Sequence, residues 1–303
     1  MPSLRCRYAL VLSLLVAVAG RVDAQAPRPL KVYISADMEG VAGAVTGDQL
    51  GPTGFEYARF REFMTAEVLA AITGAREAGA TEILVSDSHG NGQNLLIEQL
   101  PADVMVVRAF PRPLMMMEGI DSTFHAAIFI GYHASTTSPA GVRAHTISSA
   151  NLAAVELNGV AMPEAGINAA IAGHFGVPVV MISGDDVAVQ EAQRIIGNIE
   201  GAVVKRAISF HSAATMTPQA AQALIRERVK SGLARRSAVR PYTPRAPLRL
   251  DVTFKNYRAA EMLAYLPNVQ RTTSHGIRFT GRDMVEISRF LEFIVTYEPG
   301  LSP

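Results

Sequence analysis

Only one of the 303 residues is a cysteine, Cys6, so an intrachain disulfide framework and a cysteine-rich zinc module are both excluded. Charge of one sign is missing as well. The 28 basic and 27 acidic residues nearly cancel, leaving no basic footprint for a nucleic-acid partner. Charged residues make up only 18% of the chain against 49% apolar, which rules out global disorder and supplies a large core. No short repeat or low-complexity tract is present, so collagen-like and coiled-coil architectures fail. A G-x-S-x-G elbow is also absent, which disfavours a serine hydrolase of that type.

Long apolar runs are lacking too. The 13-residue stretch from Tyr8 to Gly20 falls short of the roughly 20 residues that span a bilayer. Arg5 and Arg7 precede it and Val22-Asp23-Ala24 follow it, the pattern of a secretory signal over residues 1–24. Cys6 stands ahead of the apolar run, where a lipid-anchoring cysteine would not lie. Cleavage after Ala24 removes three arginines and Asp23, taking the formal charge from +1 to −1. The expectation is an exported protein, periplasmic or secreted, whose mature chain has no cysteine and suits an oxidising compartment.

Past a short proline-containing lead-in, strands and helices alternate. Lys31 to Ala36 is a continuously apolar strand, as in sheets buried on both faces. Phe55 to Ala78 follows with helical periodicity in Phe60, Phe63, Met64, Val68, Ala71 and Ile72, and Gly79 ends it. Further strands are expected at 82–86, 104–107, 125–131 and 178–183. Asn158-Gly159 between two short apolar runs predicts a β-hairpin. Pro163 then opens a helix that runs to about His174. This alternation predicts an α/β fold, a mostly parallel sheet flanked by helices, over 28–215. Residues 216–303 read as a second, smaller α+β domain: a helix at 218–232, an arginine- and proline-punctuated stretch, and then strand, helix, strand, strand, helix up to 297.

The chemistry-bearing residues collect at strand ends. Asp37 and Glu39 follow the first strand in S-A-D-M-E-G, two residues apart and so on one side of an extended chain. His89 follows the next strand in D-S-H-G, and His133 follows another in G-Y-H-A. Open α/β sheets bind ligands at these carboxyl ends. Glu164 lies in the first turn of the helix after the hairpin, where the helix dipole favours its ionised form. Two imidazoles and three carboxylates suit zinc and are too many for one tetrahedral ion.

Each residue also has a structural reading by itself. Asp37 and Glu39 would serve as turn and cap residues, Asp87-Ser88 beside His89 as an Asx turn, His133 as a core histidine and Glu164 as a helix-start carboxylate. Their joint placement at element ends favours the site. His125, His174, His211 and His275 read as structural, Met115 to Met117 as packing beneath the site, and Gly184-Asp185-Asp186 as a helix cap.

At these same residues the chain resembles the zinc-dependent D-aminopeptidases of the dipeptide-transport operon type, peptidase family M55. The motifs are S-A-D-M-E-G-V-A-G, M-T-A-E-V-L-A-A-I, D-S-H-G-N-G-Q-N, G-Y-H-A, H-T-I-S-S and L-N-G-V-A-M-P-E-A-G-I-N, in order over about residues 31–187. The resemblance implies two zincs held by Asp37, Glu39, His89, His133 and Glu164, and a catalytic role for His145 of the H-T motif. It implies as well a preference for D-residues and a homo-oligomer, a ten-subunit barrel of stacked pentameric rings. The family's characterised members are cytoplasmic, so the export signal departs from them. The last third of the chain matches only in outline.

The expected activity is that of a two-zinc aminopeptidase acting on short peptides or aminoacyl amides. Asp37 would bridge the ions and His145 would transfer protons or polarise the carbonyl. Two alternatives stand beside it: a di-zinc peptidase or amidase with L- or other specificity, and an exported zinc- or peptide-binding protein without catalysis. An unligated histidine beside the metals argues for catalysis, since a binding module has no use for it.

Overall fold

The computed structural model describes residues 29–297; the expected signal segment and Cys6 lie outside them. Chain order begins β1 (Lys31–Ala36), α1 (Tyr57–Glu77), β2 (Glu82–Asp87), β3 (Met105–Val107) and β4 (Ala126–Tyr132). It continues with the hairpin β5 (Leu152–Leu157) and β6 (Val160–Ala161), then α2 (Glu164–His174), β7 (Val179–Asp185) and α3 (Asp186–Ile196). After these come β8 (Glu200–Ser209), β9 (Ser212–Thr215), α4 (Pro218–Ala234), β10 (Leu248–Phe254) and α5 (Tyr257–Leu263). The last elements are β11 (Val269–Arg271), β12 (Gly276–Gly281) and α6 (Met284–Thr296).

Seven strands form the first sheet in the order β3-β2-β1-β4-β7-β8-β9, parallel except for β9. The chain leaves β1 toward β2 and β3, then returns to lay β4 on the other side of β1. That reversal creates a crevice at the carboxyl ends of β1 and β4, the place where such sheets bind ligands. Register sets Ala36 beside Asp87 on one side and beside Ile130 on the other. Three adjacent strands therefore end at one level.

Side chains of β1 alternate between two cores, as the period of a strand requires. Val32 and Ile34 face a core with α1 and α4, while Tyr33 faces a second core with α2, α6 and the second sheet. The alternation persists past the strand: Met38 joins the first core, and Asp37 and Glu39 turn to the other side. The α/β fold expected from the alternating pattern is present, with a smaller antiparallel sheet beside it, β11-β12-β10-β5-β6. That second sheet takes β5 and β6 from inside 28–215. Helix α4, which begins beyond that boundary, packs on α1 and β8. The sequence pattern marked the cap of α3 at Gly184-Asp185-Asp186 but not the helix's extent, and it did not mark β8 or β9. In β8 the buried Lys205 follows Val204 and breaks the apolar run that would have signalled a strand.

Candidate metal centre

Backbone packing first brings the loops together. Gly40 and Gly131 lie against each other's chains, Gly40 N–H donating to the Gly131 carbonyl at 2.7 Å. A Cβ on Gly40 would overlap the Tyr132 carbonyl, and one on Gly131 the Asp37 carbonyl. Gly131 also has φ +71°, which a side chain would strain. Only glycine at both points lets the Asp37–Glu39 turn close on the strand that carries His133.

Asp87 shapes the loop bearing His89. Its carboxylate accepts from the Asn94 and Leu95 N–H groups at 2.6 and 2.7 Å and from the Asn94 side chain, which in turn donates to the His89 carbonyl at 2.6 Å. This is a larger construction than the Asx turn expected from sequence. The segment after β4 is anchored on α3. Glu191 accepts from the Ser135 N–H and hydroxyl, and Asp185 caps α3 while accepting from the Val142 N–H. Beyond His145, Thr146 donates to the Met162 carbonyl, and the Ile147 N–H reaches Glu164 Oε1 at 2.7 Å. That bond holds Ile147 at φ +63°, a costly conformation for a β-branched residue.

All six candidate residues come together. His89 Nδ1 lies 3.0 Å from Asp37 Oδ1 and 2.8 Å from Glu39 Oε2. His133 Nε2 stands 3.3 Å from both Asp37 Oδ2 and Glu164 Oε2. His145 Nε2 is 3.8 Å from Glu164 Oε1, and its ring stacks on His133 with centroids 4.0 Å apart. The far nitrogen of each ring faces a carbonyl, which can only accept. His89 Nε2 donates to Leu50, His133 Nδ1 to Ala134 and His145 Nδ1 to Arg143. In its neutral form each ring therefore turns a lone pair toward the carboxylates.

With the rings neutral such a set repels itself, and a proton on the rings or an entering cation relieves it. Asp37 Oδ2, Glu39 Oε2 and His133 Nε2 are buried with no hydrogen-bond partner; Glu39 Oε2 is near His89 but misaligned. Burial works against the charge on His89 and His133, yet the facing carboxylates raise both pKa values well above the ordinary imidazole value. Burial also opposes ionisation of Glu39 and Glu164, and the histidines outweigh it and lower both. Asp37 goes the other way, pushed up by burial and by the charge on Glu39. Asp37, Glu39 and His133 offer ligand atoms within 4.8 Å of one another, and so do His133, His145 and Glu164. The donors are oxygen and imidazole nitrogen, a set that fits zinc. Asp37 presents each oxygen to a different imidazole, as a bridging carboxylate does.

The centre opens into a cavity of about 400 Å³ whose apolar wall includes Phe110, Met115, Met116, Ile147 and Val295. Met115 and Met116 thus pack beside the centre, as expected. His125 sits exposed at the edge of β4, and Asp185 caps α3. Sequence reasoning missed Lys205 and Glu67. Buried Lys205 Nζ donates to the Glu39, Val41 and Ala44 carbonyls, and Glu67 accepts from the Ala42 N–H at 2.9 Å. Together they brace the loop carrying Glu39. Glu67 had a signal: it lies three residues beyond Met64 on the apolar stripe of α1. Lys205 had none, because its strand was not recognised.

A D-aminopeptidase of Bacillus subtilis (strain 168) is 35% identical over 258 residues, covering 85% of this chain and 93% of the relative. Among solved structures, the Zn-dependent D-aminopeptidase DppA from Bacillus subtilis, described as a self-compartmentalizing protease, superposes with a TM-score of 0.84. It is 33% identical, over 88% of this chain and 97% of that one. The profile of peptidase family M55, described as D-aminopeptidase, matches residues 30–293, and the chain belongs to that family.

Proposed function

We propose that the protein is a zinc-dependent D-aminopeptidase that binds two zinc ions and releases N-terminal D-residues from short peptides or aminoacyl amides. One observation carries this reading: the buried imidazoles of His89 and His133 and the half-buried one of His145, each tied by its far nitrogen to a carbonyl, turn their free nitrogens onto three carboxylates. Asp37, Glu39 and His89 would hold one ion, and Asp37, His133 and Glu164 the other. When bound, paired zinc ions polarise a peptide carbonyl and activate water for its hydrolysis.

The protein's own residues supply the rest. The carbonyls of Leu50 and Ala134 fix the His89 and His133 tautomers, an outer-shell arrangement that orients ligands. His145, held through Nδ1 by the Arg143 carbonyl, has its Nε2 turned to the site for receiving and returning a proton. The apolar wall accepts a small side chain and limits water. The test is turnover across paired D- and L-aminoacyl amides, with zinc supplied and then removed. Zinc-dependent hydrolysis of the D-amides is expected. Equal rates on L-amides would overturn the stereochemical assignment, and no turnover by zinc-loaded protein would favour a binding role.

Two further features belong to this reading. The self-compartmentalizing relative and the exposed Ile208, Phe210 and Met216 around the β8–β9 turn support a homo-oligomer. The pattern of residues 1–24 supports export, and amino-terminal sequencing of envelope protein should begin at or near Gln25.

A further inference from the structure

The cavity over the metal centre contains a fourth carboxylate that the mechanism does not use. Glu292, on α6, lines it with only 8% of its surface exposed. Its Oε1 accepts from the Arg112 N–H at 3.1 Å and from the Thr296 hydroxyl at 3.2 Å. Among the described residues its Oε2 makes no hydrogen bond and no cationic side chain lies within ion-pair distance of it. The Arg112 guanidinium is committed elsewhere, to the Ser86 hydroxyl at 2.8 Å and to the Asp87 and Ala109 carbonyls. Among the described residues no lysine or arginine lines the cavity. A carboxylate kept ionised in such a place is costly unless something positive reaches it. Asp37, Glu39 and Glu164 are assigned to the metals, which leaves Glu292 as the uncommitted carboxylate of this cavity.

We propose that Glu292 is the ammonium subsite of the cavity, accepting a primary ammonium group of the substrate on Oε2 while the scissile bond lies at the metal centre. The inference rests on the aminopeptidase reading. The ammonium has two sources in a peptide, the free amino terminus and a basic side chain, and the chemistry of recognition is the same for both. Burial raises the Glu292 pKa above the ordinary carboxylate value, against the Arg112 N–H, the Thr296 hydroxyl and the Arg112 charge; a docked ammonium would pull it back down. Its position on α6 places substrate recognition on an element remote in sequence from every metal-site residue.

Glu292→Gln keeps a neutral acceptor at Oε1 for Arg112 and Thr296 and removes only the charge. D-Alanine amide carries one ammonium and D-lysine amide two, so KM and kcat for both are measured on zinc-loaded wild type and variant. Loss of a charged hydrogen bond raises KM by roughly 10–100-fold, more than it changes kcat. A rise for both amides assigns the amino terminus; a rise for D-lysine amide alone assigns the side chain. Zinc content should stay at the wild-type value, and the thermal midpoint should not fall. KM within three-fold of wild type for both amides overturns the subsite.

Calorimetric titration of zinc-loaded protein with D-alanine and D-lysine separates the subsite from the activity. Wild-type binding that E292Q weakens, without turnover, sinks the aminopeptidase reading and leaves the subsite standing. Turnover with E292Q binding as tightly as wild type sinks the subsite alone, and absence of any amine binding by wild type also overturns it. If E292Q does not fold, Glu292→Asp withdraws the charge from the cavity, and unchanged binding in that variant rejects the proposal.

Discussion

Each imidazole of the centre has one nitrogen assigned by a backbone carbonyl, and that simple constraint separates the roles of the three rings. His89 and His133 face two carboxylates each, whereas His145 approaches only Glu164, at 3.8 Å. Replacing His145 with alanine should therefore leave zinc bound and slow turnover by about 10²–10⁴-fold. Zinc content measured on the folded variant decides the matter. Loss of one ion would make His145 a ligand, and kcat within a few-fold of wild type would remove it from proton transfer. Glu67 offers a second residue-scale expectation. Burial raises its pKa to about 7 from 4.5, although the Ala42 N–H and Lys205 pull the other way. The folded state then binds more protons than the unfolded chain between those values, so stability falls as pH rises through that window. The difference corresponds to roughly 3 kcal/mol, fully felt above about pH 7. Glu67→Gln does not titrate. Thermal midpoints taken from pH 5 to pH 8 should show wild type losing ground to E67Q as pH rises, and a constant difference would reject the raised pKa.

At the scale of elements, the centre depends on how closely β1 and β4 approach beyond their ends. Gly131 has φ +71°, and a Cβ there would overlap the Asp37 carbonyl. Gly131→Ala should destabilise the fold by about 3 kcal/mol or more, the range of severe core and backbone lesions. Because the displaced group is the backbone of Asp37, zinc affinity should fall with stability. A variant with wild-type midpoint and zinc content would show that the two loops yield more easily than their packing implies. The segment from His145 to Glu164 works in the same way. The Ile147 N–H to Glu164 bond links His145's loop to the start of α2, so the two side chains share one support.

For the molecule as a whole, the expected zinc content is two ions per chain at saturation. Elemental analysis giving one would reduce the centre to a single site. Binding to the folded state alone stabilises it in proportion to the logarithm of free ligand, so chelation should lower the thermal midpoint together with activity. A midpoint indifferent to chelation would mean that the six groups tolerate one another without a cation. Equilibrium sedimentation should give a mass several times the 32.4 kDa of the full chain. A mass near or just below that value would identify a monomer and reject assembly.

Local physical chemistry made much of this legible. The continuous apolar strand at Lys31–Ala36, the periodic stripe of α1 and the Asn158-Gly159 turn each follow from side-chain spacing or backbone freedom, and each appears where spacing placed it. The odd-numbered Asp37 and Glu39 share a side for the same reason, while Met38 turns to the opposite core. Strand order was not legible, because pairing in a parallel sheet is decided between segments far apart in the chain. Only that order, with β1 between β2 and β4, sets His89 and His133 on either side of Asp37. Lys205 and Glu292 were invisible for a related reason. A lone charge in a strand or helix means nothing until its surroundings are known, and each meets partners more than 160 positions away: Arg112 for Glu292, and the Glu39 and Ala44 carbonyls for Lys205. Sequence determined which carboxylates and imidazoles stand at element ends; the tertiary fold alone decided which of them are buried, unpaired and facing one cavity, because desolvation is a property of the packed molecule.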